Sequence, residues 1–402
     1  MFWKVLPLSL LSLLAYGAYR GGLFELISTN PPAQFTYFGI CVLYFFCGSP
    51  SLVEGLLAGA GGLALVLFCP MTRPSDFPGE ALVRTGAFAG ISGMLAASAR
   101  AILGRNRRVA LDTIGHSLIF VVLGIVLGAM LRLASSMRPY KYDRILYSID
   151  LRFGAPISFV AGGLFQTSLL LREFELVVYY LLPLAFAILY TAHLRKAQQG
   201  RTDILMMMCL NAVVGYGLYL LYPAAGPAYA FGASFPASPP LPLGLALQPV
   251  LLDAAPNAMP SLHMAGAVLI WWNSHSWKPA WWIAFAFMVL TALSALGTGE
   301  HYFLDLIVAL PYALAIQAAS TRSSYRMRAL ALGTAVTACW FLALRLAPEA
   351  LAAAPVWLMW LLATGSVALS LIANARLTPK SHAIDLRYSA ETEPAGVREA
   401  NR

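Results

Sequence analysis

The feature that most constrains this chain is a succession of apolar runs, each long enough, or nearly so, to cross a bilayer as a helix. Twelve can be read, at about residues 2–19, 34–47, 51–69, 81–103, 110–133, 174–194, 203–222, 262–275, 279–297, 302–320, 327–346 and 355–374. The second and eighth are short. Of the 402 residues 59% are hydrophobic and only 11% are charged. A soluble protein of this length needs far more polar surface. In hydrocarbon every backbone polar group needs an internal partner, so the expected fold class is all-α, a polytopic bundle of about twelve transmembrane helices.

Four basic clusters orient the bundle. They are Arg105/Arg107/Arg108, Arg195/Lys196/Arg201, Arg322/Arg326/Arg328 and Arg376/Lys380. With twelve spans all four fall on one side, together with Lys4, and the positive-inside rule makes that side cytoplasmic. Both termini are then expected in the cytoplasm. The net charge of +9 has the same origin. The basic residues lie in short loops, with no basic-aromatic stripe suited to nucleic acid. The five cysteines, Cys41, Cys47, Cys69, Cys209 and Cys339, form no C-x-x-C pair and read as small buried hydrophobes. The segment Met1–Ala18 lacks a clear small-x-small cleavage site and is expected to remain as the first helix. The tail beyond Arg376 is too polar to fold alone and is expected to be flexible.

Two longer segments fall on the other, outer side. Residues 134–172 are mixed, and include Arg138-Pro139-Tyr140-Lys141-Tyr142-Asp143-Arg144. Residues 223–261 are rich in proline, with Pro223, Pro227, Pro236, Pro239, Pro240 and Pro242, and are expected to contain no regular helix.

Chemistry concentrates in two short stretches separated by one helical hairpin. One is Pro260-Ser261-Leu262-His263 and the other is Glu300-His301-Tyr302-Phe303-Leu304-Asp305. The hairpin returns the second to the membrane face of the first. His301 and Asp305 are four residues apart, which on a helix is one face. A carboxylate there can accept a hydrogen bond from one ring nitrogen, fix the tautomer and leave the other nitrogen as a nucleophile. His263 can then protonate a leaving oxygen and later activate an acceptor. Helix N-termini favour phosphate through free N–H groups and the positive dipole end. Ser261 is a candidate cap and hydroxyl donor. Gly299, in Gly297-Thr298-Gly299, would allow the backbone close to a ligand. The other four histidines, His116, His193, His275 and His382, read as packed or surface polar residues. His116 has Asp112 one turn earlier, so aspartate–histidine spacing alone is a weak signal.

The sequence Met259-Pro260-Ser261-Leu262-His263 with Gly299-Glu300-His301-Tyr302-Phe303-Leu304-Asp305 resembles the type 2 phosphatidic acid phosphatase superfamily. It looks most like the inositol-phosphorylceramide synthase branch, which transfers a phospho-headgroup between lipids. Tyr222-Pro223-Ala224-Ala225-Gly226-Pro227 and Tyr142-Asp143-x-x-Leu146-x-x-x-Asp150 are similar to softer motifs of that branch. The resemblance covers about residues 110–320. It implies a catalytic core there, with an N-terminal four-helix membrane region at 1–109, two further spans within 321–376 and a cytoplasmic tail at 377–402. It further implies His301 as a nucleophile that forms phospho-histidine, Asp305 as its orienting group and His263 as the general acid. No metal or organic cofactor is implied. The implied partner is a lipid phosphate or phospholipid, met on the outer face.

The chain departs from the superfamily where cations are concerned. Its phosphatases carry an arginine where this chain has Ala295, and a basic residue near Gly226-Pro227-Ala228, where Ala228 stands instead. From Thr202 to Thr321 the one Lys or Arg is Lys278. A phosphoryl transition state needs positive charge on its equatorial oxygens. The expected sources are Arg132, Arg138, Lys141, Arg144, Arg152 and Arg172, above all Arg138 and Arg144, unless these bind lipid headgroups. Three readings follow: a lipid or polyprenyl phosphotransferase, a phosphatase that uses water, and a lipid-binding or transport protein without turnover.

Overall fold

The computed structural model describes residues 31–68, 79–195, 202–240, 247–275 and 277–377. The expected first span, the tail, Cys69 and His382 lie outside these residues. Among the described residues there are sixteen α-helices: α1 (Pro31–Cys47), α2 (Leu52–Phe68), α3 (Glu80–Ile102), α4 (Arg107–Met137), α5 (Asp143–Asp150), α6 (Ile157–Phe165), α7 (Leu169–Tyr180), α8 (Leu182–Arg195), α9 (Ile204–Leu221), α10 (Pro227–Phe231), α11 (Leu262–Asn273), α12 (Lys278–Gly297), α13 (Phe303–Ser320), α14 (Arg326–Leu346), α15 (Pro348–Ala353) and α16 (Val356–Leu377). Two short strands, β1 (Tyr140–Lys141) and β2 (Val250–Leu251), pair antiparallel.

The protein is a helical multi-pass membrane protein. Among the described residues seven helices, α3, α4, α9, α12, α13, α14 and α16, are long and apolar enough to cross a bilayer. The expected single span at 174–194 is two helices, α7 and α8, bent by 47° at Leu181. α1 and α2 are shorter apolar helices. The expected span at 262–275 is α11, with 12 residues. That length rises about 18 Å against a hydrocarbon core of about 30 Å. It therefore starts part-way through the bundle, where protein replaces lipid around its first turn.

The core is organised around α13. Fifteen of its 18 residues are buried, and it packs against α9, α11, α14 and α16. The approach of α14 depends on Gly333, where a Cβ would lie 2.7 Å from both the Ala315 nitrogen and the Pro311 carbonyl oxygen. Small residues of this kind let membrane helices meet backbone to backbone. Beside this core, α1, α2 and α3 pack on one another, and α1 docks them onto α4 and α8. Buried charges there are paired, with Glu80 accepting from Gln34 at 2.9 Å and bonding to Arg84.

At one end of α11 and α13 amide side chains hold the bundle. Asn273 donates to Gln317 at 2.7 Å, and Gln317 donates to Thr202 at 3.2 Å and to Thr321 at 3.3 Å. Nearby Trp271, Trp281 and Phe285 form an aromatic cluster. The opposite end carries the two long loops. α5 and α6 come from one loop. The proline-rich loop contains the five-residue α10, which the sequence reading did not expect. Pro227 sits in its first turn, where a missing N–H costs nothing.

Candidate active site

Both histidine segments meet at this loop-bearing end. Ser261 caps α11, its hydroxyl oxygen accepting from the Met264 N–H at 3.2 Å, as the sequence suggested. Its own N–H donates to the Asp305 carbonyl at 3.2 Å. The starts of α11 and α13 are thus joined through main chain. His263, in the first turn of α11, is half-buried and stacks on Tyr179 of α7, with ring centroids 3.9 Å apart. The His263 and His301 rings lie 6.2 Å apart at 60°. That gap exceeds a hydrogen bond and suits one tetrahedral group held between two ring nitrogens.

His301 precedes α13 rather than lying on it. It is fully buried. Its N–H donates to the Ala295 carbonyl at 3.1 Å, and its carbonyl accepts from the Ser158 hydroxyl at 3.0 Å. The ring Nδ1 lies 2.9 Å from the Ala258 carbonyl oxygen. A carbonyl only accepts, so Nδ1 carries the proton and Nε2 keeps its lone pair. Nε2 is buried with no hydrogen-bond partner. Burial pushes the imidazole down to about 4, partly offset by Glu300 and the Ala258 carbonyl, so the ring is neutral near pH 7.

This corrects the expected role of Asp305 as direct orienter. Its Oδ2 is 3.8 Å from His301 Nδ1, beyond a hydrogen bond, and instead accepts from the Tyr302 N–H at 2.7 Å. The physical reason is the chain break in helicity at His301. With His301 outside α13, four-residue spacing no longer stacks the two side chains. The carbonyl of Ala258 orients the ring, and Asp305 is a nearby carboxyl.

The free N–H groups expected at the start of α13 are also taken. Asp150, the last residue of α5, accepts from Phe303 N at 3.1 Å and Leu304 N at 3.0 Å. Asp143, at the first position of α5, accepts from Ala225 N at 3.1 Å, from Gly226 N at 2.8 Å and from the Tyr302 hydroxyl at 3.1 Å. Residues 143, 146, 147 and 150 share one face of α5, and all are buried. The sequence reading quoted Asp143 and Asp150 but gave them no role. Their seven-residue spacing, two helical turns, was the available signal. Among the described hydrogen bonds His263 N–H has none, so α11 is the helix start that keeps a donor for an anion.

Gly299 makes its close approach to protein. Its φ is +73°, and a Cβ there would lie 2.6 Å from the Phe235 ring and 2.8 Å from Ala228. Gly226, at φ +101°, sits equally close to the Glu300 carbonyl. These two glycines let the proline loop lie flat on the histidine loop. Glu300 adds a side-chain anchor, accepting from Tyr229 and Asn257, each at 2.8 Å.

The structure brings the expected cations to this end but not to the histidines. Arg138 is exposed at the end of α4, and its carbonyl accepts from the buried Lys141 ammonium. That bond uses one of the three ammonium donors of Lys141. Arg144 is half-buried on α5, and Arg132, Arg152 and Arg172 are exposed. Among the described residues no Lys or Arg bonds to His263, His301 or Asp305. Ala295, where the superfamily has arginine, is buried and lends its carbonyl to His301. Of the other described histidines, the half-buried His116 bonds to the Tyr190 hydroxyl and the half-buried His193 to the Leu189 carbonyl, while His275 is exposed and bonds to the Trp272 carbonyl. No group of three or more His, Cys, Asp or Glu among the described residues is arranged to hold a metal ion.

Residues 144–319 match the family model of the PAP2 superfamily. The matched region runs from α5 to the last turn of α13, and so includes both histidines, Asp150 and Asp305. The match supports the superfamily, and with it phosphatase or phosphotransferase activity in general. No curated protein and no solved structure matches the chain.

Proposed function

We propose that this PAP2-like protein is a membrane phosphotransferase that moves a phospho-headgroup from a lipid or polyprenyl donor to an acceptor hydroxyl. The observation that carries the reading is His301, tied through Nδ1 to the Ala258 carbonyl, with Nε2 buried and unpartnered and its ring 6.2 Å from that of His263. In the first half-reaction the Nε2 lone pair attacks phosphorus. The bond from phosphorus to the leaving oxygen breaks, and His263 gives that oxygen a proton. The phospho-imidazolium that forms keeps its Nδ1–H on Ala258, with the Asp305 carboxyl close by. In the second half-reaction His263 takes the proton of an acceptor hydroxyl, the new P–O bond forms, and the P–N bond breaks to restore Nε2.

The burial of His301 supports an alcohol acceptor over bulk water. The packing of Tyr222–Pro227 and Tyr142–Asp150 against the histidine loop supports the inositol-phosphorylceramide synthase-like branch. Basic clusters toward the other membrane face support a site on the outer side. Arg138 and Arg144, at the same end as the histidines, would meet the headgroup phosphate as it enters.

The test is an acid-labile phospho-enzyme assay with headgroup-labelled lipid phosphates. Label trapped on wild type and absent from His301→Ala is expected, with release speeded by alcohol acceptors. Release to water alone would make the protein a phosphatase. No label and no product with any donor would overturn the enzymatic reading in favour of lipid binding or transport.

A further inference from the structure

We infer that Asp143 and Asp150 form a two-carboxylate clamp that sets the position of His301, and that both are positioning residues for the reaction. The role in the reaction rests on the function proposed above, whereas the clamp itself is a matter of geometry. The two groups project from one face of α5, which crosses the histidine end of the bundle. Asp143 holds the proline loop through two N–H groups and the histidine loop through the Tyr302 hydroxyl. Asp150 holds the first turn of α13 through two more N–H groups. His301 lies directly before Tyr302. The proline loop also bears on the ring itself, because Ala258 N donates to Ala224 O at 2.9 Å while Ala258 O receives the His301 proton. A shift of α5 would therefore reach His301 by two routes, through Tyr302 and through Ala224 to Ala258.

Each bond in the clamp needs an acceptor. A carboxylate offers two oxygens as acceptors, and a protonated acid turns one of them into a donor. Protonation therefore loosens the clamp. Asp150 is pushed up to about 7 by burial and by neighbouring Asp305, against the pull of the Phe303 and Leu304 N–H groups. Asp143 is pushed up to about 6 by burial, against the Ala225 and Gly226 N–H groups and the Tyr302 hydroxyl. The other titratable groups facing them are Tyr147 on α5, Tyr222 on the proline loop and Lys141 on β1. The His301 ring titrates lower, at about 4. An acid limb in kcat between about pH 6 and 7 would then report the clamp and not the nucleophile.

The sign for stability is opposite. Carboxyls raised above their ordinary value bind protons in the native state that the unfolded chain has already lost. Their contribution is full below about pH 4 and is lost as pH rises through about 6 to 7. Activity should thus rise across the window in which stability falls.

The experiment uses full-length protein in detergent, with wild type, Asp150→Asn, Asp143→Asn and Tyr302→Phe. Hydrogen exchange of the 300–306 segment reads the clamp without turnover. Wild type should show protection that weakens, after correction for intrinsic rates, as pH falls from 8 to 5. In Asp150→Asn the part of that pH dependence near pH 7 should be lost, leaving the part that Asp143 carries near pH 6. The kcat of Asp150→Asn should fall about 100-fold, as for a small displacement of a reacting group, with KM little changed and the acid limb moved. Tyr302→Phe, which removes one hydroxyl from a buried site, keeps the test alive if an aspartate variant does not fold, and should lower kcat about 10-fold, the lower range of a lost orienting contact. Unchanged exchange and unchanged kcat in the folded variants would overturn the clamp. Expected exchange behaviour in a wild type that traps no phosphate would uphold the clamp and overturn the proposed function instead.

Discussion

The two ends of the α11–α13 pair are built on different principles. At the amide end Asn273, Gln317, Thr202 and Thr321 bond to one another, and their side-chain groups are used up in doing so. At the histidine end the partners are main-chain groups. Ala258 O holds His301, Tyr302 N holds onto Asp305, and the Phe303 and Leu304 nitrogens hold onto Asp150. What is left over is informative. His301 Nε2 and Asp305 Oδ1 are buried without partners. An unpaired buried polar atom costs on the order of 1–3 kcal/mol. Others occur elsewhere in the bundle, among them Trp271 Nε1 near the amide end and Arg100 on α3, so what sets this end apart is a ring nitrogen and a carboxyl oxygen left over within five residues of each other.

The sharpest way to break the comparison is at the leftover nitrogen. His301→Ala should lower turnover by on the order of 10⁴-fold or more and abolish the trapped phospho-enzyme. His263→Ala should cost about 10²–10⁴-fold in kcat, the range of a lost general acid, while still permitting some phospho-enzyme from a donor with a good leaving group. Single-turnover assays separate these two. Asp305→Asn keeps an acceptor for Tyr302 N–H but removes the carboxyl beside His301, and a loss on the order of 10²-fold in kcat is expected, the scale of a misplaced catalytic group. A wild-type rate in Asp305→Asn would remove Asp305 from the mechanism.

The amide end should answer differently. Gln317→Leu leaves Asn273 and Thr202 short of a partner and should cost about 1–3 kcal/mol of stability. Thermal unfolding in detergent should show this, while kcat per folded molecule stays near wild type. Smallest of all, Asp112→Asn should change neither, although Asp112 and His116 have the same spacing as His301 and Asp305. A large kcat effect at either Gln317 or Asp112 would mean that the division between site and scaffold is drawn in the wrong place.

Much of this was legible in the sequence. Apolar run length revealed the helical membrane fold, because bilayer thickness fixes helix length, but not the count of twelve, since seven described helices are long and apolar enough to cross. The Ser261 cap was legible because an N-cap and its partner are three residues apart. That His116, His193 and His275 are packed or surface polar residues followed from their flanks. The direct bond from Asp305 to His301 was misjudged because it required α13 to begin two residues earlier than it does. The Ala258 carbonyl left no trace, since every residue carries one. Asp150 meets Leu304 across 154 positions of chain, a distance that no local pattern reports. The spacing of Asp143 and Asp150 showed only that they share a face, not what they face. The expectation that the Arg138–Arg144 stretch supplies the phosphate ligands came from chemical need, and the fold engages one of its members, Lys141, elsewhere.

The bond from Ser261 N–H to the Asp305 carbonyl has a consequence for how such a protein can diversify. It joins the two helix starts through main chain alone, so it needs neither the serine hydroxyl nor the aspartate carboxyl. A substitution at either position that keeps both helices in place leaves this tie intact, whereas the ties that set the His301 ring run through side chains of α5 and the loops.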